Sequence, residues 1–139
     1  LMRQHGLTVD ASIIEDILSV YFRLCSIEVD CIDLARAGTI IANQGYDPDR
    51  KEFLITPRIA TITTSMMSGT GLFDGSGEFA NAVGIPAKSG VSGGILACVP
   101  GRCGIGAFSP VVDQKGNSYR ASKMLEILAK EEHLSIFES

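Results

Sequence analysis

The sequence predicts an α+β fold in which helices flank an antiparallel sheet. In the first half of the chain, apolar residues recur at helical spacing. Twelve of the 15 glycines then fall between Gly69 and Gly116, where short apolar runs alternate with turn residues. The last segment returns to helical spacing. We therefore expect helices over residues 1–84, and strands followed by a closing helix over residues 85–139.

Two helices are predicted in the first 45 residues. The first has an apolar stripe from Ile13 to Cys25, with Asp10 as its candidate N-cap and Tyr21 on the stripe that should face the core. The second runs from about Cys31 to Asn43, with Asp30 as N-cap and Gly45 suited to its C-terminal cap. The following residues, 46–50, are predicted to be a solvent-exposed loop.

A third helix starts at Thr56-Pro57, because proline favours the first turn, and it ends at Gly69 to Gly71. A short helix over Ser76 to Val83 should stop at Gly84. Three short strands are then predicted, around Val91, over Ile95–Val99 and over Ile105–Phe108, the last two joined by a Pro100-Gly101 turn. The closing helix, Asn117 to His133, should cover the sheet with Met124, Leu125 and Leu128.

Composition excludes several classes of protein. The chain has 139 residues, a net charge of −4 and 45% hydrophobic residues, which argues against a disordered chain and against a nucleic-acid partner. The longest aliphatic run, Ile95 to Val99, is too short for a membrane span, so we expect no membrane partner. With no signal peptide visible, we expect a cytoplasmic protein. The four cysteines contain no C-x-x-C pair, and we expect reduced, mostly buried thiols, no metal site and no cofactor.

Lys88 is the most unusual residue of the glycine-rich half. It is one of two charged residues between Gly84 and Pro110, and a cation among apolar strands is costly unless an anion meets it. Gly90 and Gly93 would let a ligand approach the backbone closely. The alternative is a lysine at a strand end whose ammonium group extends into water. Spacing alone does not decide between the two.

Two catalytic patterns occur in the sequence, and both are disfavoured. Gly90-x-Ser92-x-Gly94, with Asp113 and His133 following, matches the order of a nucleophile-elbow triad, but these glycines lead into a strand where the elbow requires a helix. The glycines of residues 69–77 lack the lysine and spacing of a phosphate-binding loop, so turn glycines are the better interpretation.

Two longer motifs resemble a known family. Pro86-Ala87-Lys88-Ser89-Gly90-Val91 followed by Gly93-Gly94-Ile95, and the run Tyr21 to Val29, look like two signatures of the serine-dependent glutaminases. Agreement extends to Asp74-x-Ser76-Gly77-Glu78-Phe79, Phe108-Ser109-Pro110 and Gly116-Asn117-Ser118. The resemblance implies hydrolysis of L-glutamine to L-glutamate and ammonia, on a fold like that of β-lactamases and penicillin-binding proteins. It also implies a homo-oligomer, a dimer or tetramer.

The same resemblance implies roles for individual residues. Lys88, with Ser89 and Gly90, corresponds to the Lys-[Ser/Thr]-Gly strand motif, and the backbone N–H of Val91 would form half of an oxyanion hole. Tyr21 would line the substrate pocket together with Phe73, Ser89 and Val91. The family's nucleophile is a serine in a Ser-x-x-Lys motif that this chain lacks at a matching position. We therefore expect residues 1–139 to be the C-terminal part of one catalytic domain, inactive when alone.

Phe73 departs from the family pattern. It stands where the family usually has a tyrosine thought to assist proton transfer, so the ring is kept and the hydroxyl is lost. One alternative is therefore a catalytically degenerate or truncated module with an assembly role. Another is a hydrolase of the same fold directed at β-lactams or peptides, which the close match over Pro86 to Ile95 disfavours.

Overall fold

The predicted α+β class is confirmed in a computed structural model that describes residues 11–138. Its helices are α1 (Ala11–Cys25), α2 (Cys31–Ala42), α3 (Pro57–Thr70), α4 (Ser76–Ala82) and α5 (Tyr119–Glu131), with a 3₁₀ turn at Phe73–Gly75. Strands β1 (Tyr46–Asp47) and β2 (Glu52–Phe53) form a small hairpin. Strands β3 (Ala87–Ser89), β4 (Gly94–Val99) and β5 (Cys103–Phe108) form an antiparallel sheet in the order β3-β4-β5.

The β4–β5 hairpin was predicted correctly, and the strand around Val91 was not. Register pairs Val99 with Cys103 at the turn and Gly94 with Phe108 at the far end. Val91 instead lies in a tight turn between β3 and β4, where the N–H of Gly93 donates to the carbonyl of Gly90 at 2.9 Å. The first strand of the sheet is thus Ala87–Ser89, which pairs with residues 95–97.

Helix α2 packs on the sheet with backbone against backbone. A methyl group on Gly104 would lie 2.1 Å from both the carbonyl oxygen of Ala35 and the amide nitrogen of Thr39. Gly38 is also confined, with a methyl position 2.5 Å from the carbonyl oxygen of Ala97. The hydroxyl of Thr39 also accepts a hydrogen bond from the N–H of Gly104, at 3.1 Å. Glycine is required here because no larger residue permits this approach.

Helix α5 covers the opposite face, and its buried stripe shares only Leu125 with the one predicted. Ala121, Leu125 and Ala129 are buried in the main core, whereas Met124 is 60% exposed and Leu128 is 38% exposed. Ser118 caps the helix by accepting from the N–H of Ala121, so the helix begins two residues later than expected.

In the first half of the chain, the predicted N-caps of α2 and α3 are found, whereas the predicted burial of Tyr21 is not. Asp30 and Asp33 form a reciprocal capping box at the start of α2, and Thr56 caps α3. The predicted cap of α1, Asp10, lies outside the described residues. The expected burial of Tyr21 is wrong, because its side chain is 57% exposed on a helix whose apolar face lacks a covering element within residues 11–138.

The segment predicted to be an open loop is structured. Tyr46 and Asp47 pair with β2. The rings of Tyr46 and Phe53 make an edge-to-face contact, with their centroids 5.3 Å apart. Asp47 is buried and accepts from the N–H groups of Asp49 and Arg50, which closes the turn. In the sequence, an aspartate that accepts hydrogen bonds from the backbone of its own turn cannot be distinguished from one that is exposed to solvent.

The thiols are only partly as expected. Cys98 is buried and Cys103 half-buried, but Cys25 and Cys31 are exposed, and all four are unpaired. Burial raises the pKa of the Cys98 thiol, against the smaller effect of its hydrogen bond with Thr64. Within residues 11–138, no helix combines the length and apolarity needed to cross a membrane.

Candidate functional site

The Lys88-Ser89-Gly90 motif ends strand β3 and leads directly into a β-turn. Gly90 and Gly93 close this turn, so Val91 occupies its second position. Among the described residues, no backbone oxygen accepts from the N–H of Val91, and Val91 is 74% exposed. Gly93 has a φ of +101° and its methyl position would lie 2.1 Å from the carbonyl oxygen of Ser109, so only glycine fits.

Lys88 is exposed and lies over the ring of Phe73. The distance from its ammonium nitrogen to the ring centroid is 4.7 Å, a cation–π contact, and the ammonium also donates to the carbonyl oxygen of Ser89. In the described part of the chain, no carboxylate is within ion-pair distance of Lys88. The ammonium group is therefore available to a negative charge that approaches the end of β3.

Phe73 adopts a backbone conformation that is rare for a large residue. Its φ is +52°, in the left-handed region. The turn is held from both sides by Ser76, whose hydroxyl accepts from the N–H of Leu72 at 2.9 Å and donates to the carbonyl of Phe73 at 2.8 Å. The ring that contacts Lys88 is thus placed by a buried side-chain hydroxyl.

The side chain of Ser89 is held in a buried network of hydrogen bonds. Its N–H donates to the carbonyl of Gly71 at 3.0 Å, which pins the outer edge of β3 to the end of α3. Its hydroxyl donates to the side-chain oxygen of Asn117 at 2.5 Å, and the residue is 3% exposed. Ser89 therefore supports the strand motif from behind.

An open cleft of about 710 Å³ lies along this motif. One wall contains Lys88, Ser89 and Gly90, and the facing wall contains Ile27, Glu28 and Val29. The structure thus places the end of the run Tyr21 to Val29 in the same cleft as the Lys88-Ser89-Gly90 motif. Tyr21, at the start of that run, is not among the lining residues, and hydrogen bonding with the Cys25 thiol raises the pKa of its phenol above the ordinary value.

The nucleophile-elbow triad is excluded by distance. His133 is at the hairpin end of the sheet, where its carbonyl accepts from the guanidinium of Arg102 at 3.0 Å. Ser92 precedes the opposite end of β4, and a six-residue strand spans about 17 Å. Ser92 also leads into a strand, as the sequence indicated.

Two site residues had no role in the sequence-based hypotheses. Gly116 has a φ of +83° and faces both Phe73 and Val91, with a methyl position 3.7 Å from each side chain. Asn117 connects Ser89 to Leu72 through its buried amide. The sequence marks them through the motif Gly116-Asn117-Ser118, and Asn117 also as the predicted start of the closing helix. Over residues 11–138, no group of three His, Cys, Asp or Glu side chains is arranged to hold a metal ion.

Comparison with known proteins shows which family this sequence resembles. The sequence model of the Glutaminase family matches residues 1–137. The glutaminase of Geobacillus thermodenitrificans is 50% identical over 136 residues, which cover 98% of this chain and 43% of the relative. That of Clostridioides difficile is 51% identical over 124 residues, covering 89% of this chain and 40% of the relative.

Solved structures agree with the sequence matches. A Bacillus glutaminase crystallised in 4.3 M NaCl superposes with a TM-score of 0.90 at 38% identity, covering 98% of this chain and 47% of that one. A Bacillus subtilis glutaminase in covalent complex with 5-oxo-L-norleucine gives the same TM-score and identity, with 48% of its chain covered. This chain spans less than half the length of these relatives. The chain therefore belongs to the glutaminase family.

Proposed function

We propose that this chain forms the C-terminal part of a glutaminase catalytic domain that hydrolyses L-glutamine to L-glutamate and ammonia. The observation that supports this most directly is the N–H of Val91, which has no backbone acceptor among the described residues and lies between Gly90 and Ser92 of the cleft lining. Family membership supports the substrate. The nucleophilic serine lies outside these 139 residues.

The reaction needs two steps. The serine oxygen attacks the side-chain carboxamide carbon of glutamine and gives up its proton. The C–N bond then breaks, ammonia leaves with that proton, and a glutamyl ester remains on the serine. Water cleaves the ester, which releases glutamate and restores the serine. In each step, negative charge develops on the carbonyl oxygen.

Residues of this chain stabilise that charge in the proposal. The N–H of Val91 donates to the developing oxyanion, and the Lys88 ammonium supplies positive potential beside it. Removing one oxyanion donor typically lowers kcat by about 10²- to 10³-fold. Phe73 contributes an apolar wall, and Tyr21 a protonated phenol, to a pocket completed by the rest of the domain.

Exposed apolar surface supports the proposal that this chain is only part of a catalytic domain. Helix α1 exposes Ile17, Tyr21 and Leu24, each more than two-fifths exposed, and strand β5 is an edge of the sheet. Such surfaces are normally covered in a complete domain.

We further propose that the complete enzyme is cytoplasmic and forms a homo-oligomer, a dimer or tetramer. Sedimentation of the complete enzyme would test its oligomeric state.

The test joins this chain to the part of the Geobacillus thermodenitrificans glutaminase that precedes the matched region, giving a fusion protein. We expect the fusion protein to release ammonia from L-glutamine and the 139 residues alone to release none. A folded fusion protein without turnover, or turnover by the chain alone, would contradict the proposal.

A matched pair of variants tests the oxyanion donor. Proline suits the second position of a β-turn and removes the N–H, so Val91→Pro deletes the donor with the turn intact. Val91→Ala keeps the N–H and trims an exposed side chain. We expect a loss of about 10²-fold or more in kcat for Val91→Pro alone. Equal activity of the two variants would remove Val91 from the mechanism.

A second candidate function is a catalytically degenerate module with an assembly role. The observation that favours it is the ring of Phe73 against Lys88, where the family tyrosine would present a hydroxyl. Labelling with 6-diazo-5-oxo-L-norleucine separates the two proposals, because an active fusion protein would be labelled covalently and a degenerate one would not.

A further inference from the structure

The side chain of Asn117 joins two segments of the candidate site that are far apart in sequence. It is 3% exposed, and its amide nitrogen donates to the carbonyl of Leu72 at 3.0 Å. Its amide oxygen accepts from the hydroxyl of Ser89 at 2.5 Å. A carbonyl oxygen can only accept, so the bond to Leu72 determines which way the amide faces. Asparagine therefore satisfies both partners in one orientation.

The turn that precedes helix α5 orients this amide. One carboxylate oxygen of Asp113 accepts from the N–H groups of Lys115 and Asn117, each at 2.9 Å. Gly116, between them, lies against the side chains of Phe73 and Val91. The turn thus contacts Phe73 and Val91, while its asparagine bonds the Leu72 carbonyl and the Ser89 hydroxyl.

The segments that Asn117 joins hold the groups assigned to charge stabilisation. Leu72 precedes Phe73, whose left-handed backbone persists only if its neighbours hold it. Ser89 follows Lys88, and the turn containing the N–H of Val91 begins one residue later. A shift of either segment would change the distances among these three groups.

We propose that Asn117 is a positioning residue that keeps the Phe73 ring, the Lys88 ammonium and the Val91 N–H in one geometry. Asn117 does not line the cleft, so it acts through Leu72 and Ser89. This role rests on the proposed glutaminase function. Displacement of such groups by about 1 Å typically costs about 10²-fold in rate.

Steady-state kinetics of the fusion protein test the role. Asn117→Ala should lower kcat about 10- to 100-fold while KM changes less than about threefold, because oxyanion contacts strengthen in the transition state. Asn81→Ala, on an exposed position of α4, is the matched control and should match the unsubstituted fusion protein. A loss confined to KM, or none, would overturn the proposal.

Ser89 provides the other half of the test. Ser89→Ala should lower kcat, and adding it to Asn117→Ala should cause little further loss, because both remove the same bond. Ser89→Thr keeps the hydroxyl and should restore most of the activity. Multiplicative losses in the double variant would show that the two side chains act independently, against the proposal.

Amide hydrogen exchange tests the hydrogen bonds of Asn117 with Ser89 and Leu72 without requiring turnover. Asn117→Ala should speed exchange in residues 71–76 and 88–94, with the Val99–Cys103 hairpin end unchanged. Asn117→Asp keeps an acceptor for Ser89 and loses the donor to Leu72, so only residues 71–76 should exchange faster. Unchanged exchange, or a uniform increase along the chain, would overturn the proposal. These outcomes stay informative if the fusion protein proves inactive, which would refute the glutaminase proposal alone.

Discussion

Gly104→Ala should destabilise the chain more than an ordinary core substitution. The added methyl group would lie 2.1 Å from two backbone atoms of α2 and 2.4 Å from a third, where ordinary contact begins at 3.4 Å. Backbone cannot rotate away as a side chain can, so α2 must move about 1.3 Å from β5. Overpacking costs about 1–3 kcal/mol, and losing the Thr39–Gly104 hydrogen bond adds about 1 kcal/mol. We therefore expect a loss of about 2–4 kcal/mol in the free energy of unfolding.

Urea unfolding of the purified chain, followed by far-ultraviolet circular dichroism, measures this loss. The matched control is Gly69→Ala, near the end of α3, where a methyl group meets no atom within 4 Å. That substitution should stabilise the chain by about 0.5–1 kcal/mol through helix propensity. A Gly104→Ala chain within about 1 kcal/mol of the unsubstituted one would refute the argument that this contact excludes a side chain.

Three further outcomes are expected. Phe73→Tyr in the fusion protein should raise kcat about tenfold or more, since a positioned acid or base contributes about 10²- to 10⁴-fold, and an unchanged kcat would show that the hydroxyl is not needed. In the chain, iodoacetamide should alkylate exposed Cys25 and Cys31 well before Cys98, whose burial raises the pKa; equal rates by mass spectrometry would contradict this. Hydrogen bonds from two lysines lower the pKa of Glu126, so its stabilisation is present above the ordinary glutamate pKa and lost as pH falls. The difference in unfolding free energy between the chain and Glu126→Gln should therefore shrink from about pH 5 to about pH 3, and a constant difference would count against it.

Local signals predicted the helices and the hairpin because each rests on neighbouring residues. Asp30 caps α2 through N–H groups two and three residues away, and Thr56 caps α3 in the same way. The Pro100-Gly101 turn likewise joins strands that are adjacent in sequence. The Lys88-Ser89-Gly90 motif was located by its composition, although its strand and the following turn were placed a few residues off.

Contacts between distant segments were not predictable in this way. Burial of Asp47 depends on a turn that it closes itself, and the small size required at Gly104 depends on a helix 65 residues earlier. Asn117 gives no local sign that its amide reaches both Ser89 and Leu72. Exposure of Tyr21 was missed because helical periodicity shows that a face is apolar without showing what covers it.

The hydrogen bond between Thr39 and Gly104 has a consequence for the order of folding. It closes a span of 65 residues, whereas the β4–β5 hairpin closes through a turn of three residues. Short spans form first because closing a long loop costs more chain entropy. We expect the hairpin to form early and α2 to dock on it late, in a slower step. Cutting the chain near residue 84 would then leave one piece with the hairpin and another with α2, and the docking of α2 would occur only when the two are mixed.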